Sequence, residues 1–325
     1  MPLPAPALFT FAAIAGLAGC AALVDTRADR REAEWMALTP PLGQIVIVEG
    51  HRVHLVDSGA PVPDAPDLVL IHGANGNLRD FTFDLVGRLD DRYRVIAVDR
   101  PGLGYSDSLG LADSDPREQA RVLRLALAQI GVRRPILVGH SYGGAVAMGW
   151  ALQAPDQTAA VVLLAGATHP WEGGLGGWYR LNATLLGRPA RATVAAFAPQ
   201  DMVGDVLESV FAPAPVPDGY MTYFGPNLSL RRESQANNTR QVNDLLGYVT
   251  RMQPGYEALS LPIEILHGDA DTIVGLDIHS RRMAAETASA HLTVLEGAGH
   301  MPQHSHPQAV VAAINRAARR AGMSR

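Results

Sequence analysis

Six short apolar runs set the terms for this chain: residues 68–71, 95–98, 136–138, 161–164, 263–266 and 292–295. Each is bounded by small or polar turn residues and followed by a segment of helical period. Strands that are continuously apolar, rather than alternating, are buried on both faces, and the helices between them supply the cover. The pattern therefore predicts an α/β fold with a mostly parallel central sheet flanked by helices. Ahead of it, the alternating segments 44–49 and 52–57 read as two paired strands turning near Gly50. One covering helix shows its limits in full: Asp115 can cap, Pro116 takes the first helical position, Glu118 has capping-box spacing and Gly131 stops it. Val122, Leu123, Ala126, Leu127 and Ile130 line its sheet-facing side. From about 167 to 259 the strand rhythm lapses, and Gly, Pro, Trp and Tyr are scattered among helical patches. This stretch is expected to be a helical cap inserted between two strands. The 325 residues admit two domains by length alone, and one domain with an insertion fits equally well.

Composition removes several classes of function. Hydrophobic residues at 47% and charged residues at 18% give enough apolar surface for a large core, so the chain is not disordered. A net charge of −5 leaves no basic footprint for nucleic acid. All 27 basic residues are Arg, which excludes a catalytic lysine, a Schiff base and a P-loop ATPase. Cys20 is the sole cysteine, which excludes an internal disulfide, a cysteine zinc site and a cysteine nucleophile in the folded body.

The start of the chain reads differently from the rest. Residues 7–24 carry no charge, and Thr10 is their only polar side chain, a length at the lower edge of what spans a bilayer as a helix. Cys20 ends an L-A-G-C that resembles the bacterial lipoprotein signal. No Arg precedes the run, whereas Arg27, Arg30 and Arg31 follow it, which points instead to an uncleaved anchor. Residues 1–24 are thus expected to be a signal, lipoprotein or membrane-anchor segment, 25–41 a polar linker, and 42–320 the functional domain, attached to a membrane through the N-terminal segment. The sequence does not give an oligomeric state.

Chemistry concentrates at strand ends. After the 136–138 run the chain reads V-G-H-S-Y-G-G, placing Ser141 between Gly139 and Gly143 in a G-x-S-x-G pattern between strand and helix. Small flanking residues permit the sharp turn that exposes a nucleophilic hydroxyl, and the following helix aims its N–H groups at the site. Such a serine needs a base, and the base needs a carboxylate. His300, in E-G-A-G-H-M-P just past the last apolar run, is the candidate base. His304 and His306 compete, but H-S-H-P reads as the entry to a final helix at Pro307. Asp269 and Asp271 both follow the 263–266 run. Asp269, at the strand end, suits a turn-tying role, and Asp271 lies farther along the loop. An oxyanion needs backbone N–H donors: the H-G-A-N-G-N turn after residue 71 offers Ala74, and Tyr142 offers the second. His72 reads as structural. The turn D-R-P-G-L-G-Y-S, 99–106, lacks the dinucleotide fingerprint.

With these motifs in order, residues 42–320 resemble the α/β-hydrolase fold superfamily, through H-G-A-N-G-N, D-R-P-G-L-G-Y-S, G-H-S-Y-G-G, H-G-D-A-D-T-I-V and G-A-G-H-M-P. The resemblance implies a nucleophile at Ser141, an acid at Asp271, a base at His300 and an oxyanion hole at Ala74 and Tyr142. Haloalkane dehalogenases and epoxide hydrolases of that superfamily carry Asp at the elbow, so Ser141 argues against both. Carbon–carbon bond hydrolases share the serine, but their oxyanion turn is usually richer in Gly and Pro. The expected function is a serine hydrolase of carboxylic esters or related acyl bonds, working on a small-molecule substrate through an acyl-enzyme. It requires no metal or organic cofactor. Acyl transfer, perhydrolysis and a non-catalytic ligand-binding module are the alternatives. Trp171, Trp178, Tyr179, Tyr220, Met221, Tyr223 and Phe224 are candidates for the lining of an acyl pocket or for packing within the cap.

Overall fold

The computed structural model describes the backbone of residues 5–174 and 176–323, and their side chains except those of 5–18, 200 and 201. Eight strands form one sheet: β1 (Gln44–Val48), β2 (His51–Asp57), β3 (Asp67–Ile71), β4 (Arg94–Val98), β5 (Ile136–His140), β6 (Ala160–Leu164), β7 (Ile263–Gly268) and β8 (Ala290–Leu295). Their order is β1-β2-β4-β3-β5-β6-β7-β8. The β1–β2 and β2–β4 pairings are antiparallel, and from β4 to β8 every pairing is parallel. Val48 pairs with His51, so Glu49 and Gly50 alone make the turn, both at positive φ, as a two-residue hairpin of right-handed twist requires.

The apolar runs are covered on both sides, as their pattern demands. Val69, Ile71, Ile96, Leu137, Val161 and Ile263 belong to the apolar layer on one face, and Leu68, Leu70, Val95, Ile136, Val162 and Leu266 to that on the other. The expected helix forms as α2 (Pro116–Gln129), its start fixed by the Asp115 side chain accepting from Arg117 N–H. Glu118 does not close the capping box; its carboxylate goes to Arg121 instead. Behind Ser141 lies α3 (Tyr142–Gln153), nearly all of it buried. One strand departs from expectation. The run 292–295 reads as doubly covered, yet β8 is one of the sheet's two edge strands and most of it is partly exposed, because strand order rather than local pattern decides which run has no outer neighbour.

Between β6 and β7 the regular elements among the described residues are all helices, among them α4 (Gly187–Phe197), α5 (Gln200–Phe211) and α6 (Arg232–Met252). The expected polar linker at 25–41 is corrected here: a helix, α1, the first in the chain, runs Ala5–Leu38 and packs on this cap. Ala28 and Trp35 are buried against Ala195 and Ala196. Arg27 Nε donates to Ala196 O at 2.7 Å and Arg31 Nη2 to Ala198 O at 2.8 Å, satisfying carbonyls at the end of α4 that the helix itself leaves open. Arg232 of α6 pairs with Asp25, Asp29 and Glu32. The stretch is polar because it meets a guanidinium from the cap. Of the expected anchor segment 1–24, residues 5–24 form the first part of this helix, while residues 1–4 and the side chains of 5–18 lie outside the described residues. Among the described residues, no helix is long and apolar enough to cross a membrane.

Candidate active site

Ser141 leaves β5 with φ 52° and ψ −120°, a left-handed conformation that a β-carbon tolerates only when the surroundings enforce it. Its N–H donates to Leu164 O at 2.9 Å, and its carbonyl accepts from Gly144 and Ala167. Room for the turn comes from its flanks. A Cβ on Gly139 would lie 2.4 Å from Gly143 O, and one on Gly143 would lie 2.2 Å from Ile71 O. The turn leaves Ser141 Oγ without a hydrogen-bond partner among the described residues, facing a cavity.

His300 lines the same cavity. Its Nδ1 lies 2.8 Å from Asp271 Oδ2, and Asp271 Oδ1 accepts from the N–H groups of Ile273 and Val274 at 2.8 and 3.0 Å. Burial opposes the charge on Asp271, but hydrogen bonds from His267 and His300 outweigh it and hold the carboxyl well below the usual range. An ionised Asp271 accepts a hydrogen bond from Nδ1–H, which leaves Nε2 of the imidazole as the basic nitrogen facing the serine side. Asp269 is exposed and accepts from Gly297 N–H at 2.7 Å, tying the loop after β7 to the one after β8.

Ala74 lines the same cavity and Tyr142 follows Ser141 in the chain, and among the described residues neither N–H has an acceptor. His72 is fully buried, with Nε2 accepting from Arg100 N–H at 3.0 Å and Nδ1 2.9 Å from Gly73 O. Burial, with Arg100 beside it, draws its pKa down to about 4, as suits a neutral structural imidazole. The 99–106 turn also has a structural task. Asp99 accepts from Leu78 N–H at 2.7 Å and Tyr105 N–H at 2.8 Å and lies 2.6 Å from His54 Nδ1.

The cavity measures about 210 Å³. Its apolar walls include Val206, Leu207, Val210, Phe224, Ile273 and Met301. Of the seven cap residues considered from sequence, Tyr179, Tyr220 and Phe224 line it. Trp178 and Met221 are partly exposed, Trp171 packs against the core, and Tyr223 lies under Arg79. One buried carboxylate, Asp80, also faces the cavity, and among the described residues no arginine lines it. Asp80 accepts from Tyr220 OH at 2.8 Å and Gln303 Nε2 at 3.0 Å, and lies 2.7 Å from His304 Nε2. His304 is thereby committed to a second carboxylate. Among the described residues, no group of three or more His, Cys, Asp or Glu is arranged to hold a metal ion.

Comparison with known proteins agrees with this arrangement of strands and loops. A model of the alpha/beta hydrolase family matches residues 68–313. The chain belongs to the alpha/beta hydrolase family. It is 28% identical over 274 residues to a 2-hydroxymuconate semialdehyde hydrolase of a Pseudomonas species, covering 82% of this chain and 90% of that one. It is 27% identical over 270 residues to a 2-hydroxy-6-oxononadienedioate/2-hydroxy-6-oxononatrienedioate hydrolase of Paraburkholderia phymatum, covering 79% and 87%. The solved structure of a thermophilic esterase from Thermogutta terrifontis superposes with a TM-score of 0.68 at 21% identity, over 86% of this chain and 99% of that one, a likeness of fold.

Three residues of this alpha/beta hydrolase had no role in the sequence reading. His267 lies 3.2 Å from Asp271 Oδ2, Asp80 pairs with His304, and His140 lies 2.9 Å from His300 O. His267 and His140 sit inside quoted motifs, but their partners are set by the juxtaposition of β5, β7 and the loop after β8. Asp80 carries no motif signal.

Proposed function

We propose that the protein is a serine hydrolase of neutral carboxylic esters with short acyl chains. In this reading Ser141 Oγ attacks the carbonyl carbon while His300 Nε2 takes its proton. Asp271 steadies the imidazolium, and the N–H groups of Ala74 and Tyr142 receive the oxyanion. Collapse breaks the ester bond, and the alcohol leaves with the proton from His300. Water, deprotonated by the same nitrogen, then releases the acid and restores Ser141. The observation that carries the reading is the left-handed Ser141 facing the cavity lined by His300, whose Nδ1 is engaged by Asp271.

The relatives acting on a semialdehyde and on dioates favour a second reading, carbon–carbon bond hydrolysis with the same residues. A dioate brings two carboxylates, and this cavity meets it with the buried Asp80 and no arginine. Like charge beside a buried carboxylate is costly, which favours an uncharged acyl group. The small volume and the Leu207, Val210 and Phe224 walls favour a short one.

A fluorophosphonate is expected to label the wild type and not Ser141→Ala. The variant should remain folded and lose about 10⁴-fold or more in turnover of p-nitrophenyl butyrate. Within an ester series, butyrate should exceed both the dodecanoate and an acyl group ending in a carboxylate. Unchanged turnover in Ser141→Ala removes the proposal, and preference for the anionic acyl group favours the second reading. We also propose that residues 1–24 attach the enzyme to a membrane, on the strength of the apolar run 7–24.

A further inference from the structure

Arg100 follows Asp99 at the end of β4 and is fully buried. Among the described residues its guanidinium has no carboxylate within ion-pair distance. Nη1 donates to Gln119 Oε1 at 3.0 Å and Gln241 Oε1 at 2.9 Å, Nη2 donates to Gly73 O at 3.1 Å, and Nε has no partner. Its Cζ lies 4.1 Å from the centre of the Tyr142 ring. Asp113, on the same side, is taken up by Arg240 at 2.7 Å. Burial draws the guanidinium down to about 10, so it stays charged at neutral pH. A buried cation solvated only by amides is expensive and poor evidence of a stabilising role.

Resting on the serine-hydrolase reading, we infer that Arg100 is a positioning residue of the oxyanion hole, holding the Gly73–Ala74 peptide by its carbonyl and lending an uncompensated positive charge to the site. The C=O and N–H of a trans peptide unit point in opposite directions. Gly73 O is held by Arg100 Nη2 and faces His72 Nδ1 at 2.9 Å, so the Ala74 N–H of the same unit is turned the other way. Gly73 itself abuts the nucleophile: a Cβ there would lie 3.1 Å from Ser141 Cβ. A cation donating to the carbonyl polarises the whole amide and strengthens its N–H as a donor. The residue bearing the second donor, Tyr142, has its ring under the same guanidinium.

The two glutamines fit this role better than carboxylates would. Gln119 Nε2 donates to Asp113 O at 2.6 Å and Gln241 Nε2 to Pro101 O at 2.8 Å, which turns both Oε1 atoms toward Arg100. Amide dipoles solvate the guanidinium without cancelling its charge. A glutamate in either place would pair with it and leave no net field. The oxyanion is then the negative charge this cation meets during the reaction, where a preorganised field acts most strongly.

The test compares Gln241→Glu with Gln241→Met. Both lose the bond to Pro101 O, but only the first neutralises Arg100 while leaving it in place. For p-nitrophenyl butyrate, Gln241→Glu is expected to lose about tenfold to a hundredfold in kcat, with KM within about twofold. Affinity for a trifluoromethyl ketone, which is captured as an anionic adduct, should fall in parallel. Gln241→Met should stay within about threefold of wild type on both measures. Arg100→Met should lose at least as much as Gln241→Glu if it folds, and the glutamine pair decides the matter if it does not. Equal effects of the two Gln241 substitutions, or a Gln241→Glu variant with unchanged kcat and ketone affinity, overturn the inference. Fluorophosphonate labelling of the wild type separates the two levels: an unlabelled wild type overturns the serine-hydrolase reading itself, whereas a labelled one with unresponsive variants overturns only the role of Arg100.

Discussion

Two aspartates separated by a single residue share the loop after β7 and divide its work. Asp271 is engaged by His300, His267 and two backbone N–H groups, while Asp269 holds a single N–H, that of Gly297. Replacing Asp271 by Asn puts an amide against His300 Nδ1, free to donate and so to favour the tautomer with the proton on Nε2. Turnover should then fall by about 10⁴ with the fold retained. Asp269→Asn, whose Oδ1 can still accept from Gly297 N–H, should keep near wild-type turnover and lose no more than about 1 kcal/mol of stability, the worth of one turn hydrogen bond. Ester turnover and thermal midpoint, measured for both, decide; an inactive but folded Asp269→Asn beside an active Asp271→Asn reverses the assignment. At this scale the sequence was informative where a residue's role follows from its place on a turn, as for Ser141 between Gly139 and Gly143. It was silent on Arg100 and Asp80. A motif marks the group at the strand end, whereas their partners Gln241 and His304 come from elements more than a hundred residues away.

The N-terminal helix shows the same limit for a whole element. Its segment 25–38 looks like a linker when judged by polarity, because the partners that make it a packed helix, Arg232, Ala195 and Ala196, lie in the cap. Burial of Trp35 contributes about 2 kcal/mol. The bonds from Arg27 and Arg31 to open carbonyls add about 1 kcal/mol each. The ion pairs of Arg232 with partly exposed acids add little. Deleting residues 1–38 should therefore lower the thermal midpoint by about 5–10 °C, whereas deleting 1–18 should leave it within about 2 °C. The shorter deletion should also abolish co-sedimentation with membranes if the apolar run anchors the enzyme. Equal midpoints for both deletions refute the strap, and a full-length protein found wholly in the soluble fraction refutes the anchor.

At the scale of the whole molecule, parallel pairing explains why the site could be assembled from sequence: β3, β5, β7 and β8 all run the same way, so the loops carrying Ala74, Ser141, Asp271 and His300 emerge at one edge of the sheet. The dense packing at that edge also dictates a response to acid. Burial depresses His72 to about 4, with Arg100 adding to the effect. Burial depresses His140 to about 4, beside His300, and His279 to about 3, beside His169. In the unfolded chain these imidazoles take up protons near pH 6.5. Below that value the unfolded state binds more protons than the folded one, so stability is full above pH 6.5 and declines as pH falls toward 4 and 3. Each imidazole removes about 1.4 kcal/mol by pH 5.5, so the three together remove about 4 kcal/mol from a typical total of about 5–15. Asp80 and Asp271, held below the usual carboxylate range by their hydrogen-bonded imidazoles after burial is overcome, add their loss only below about pH 4. The thermal midpoint should thus be nearly level from pH 8 to 7 and drop by about 10 °C between pH 7 and 5.5. A midpoint that holds to pH 5 before falling would assign acid sensitivity to the carboxylates and refute the account given for the three imidazoles.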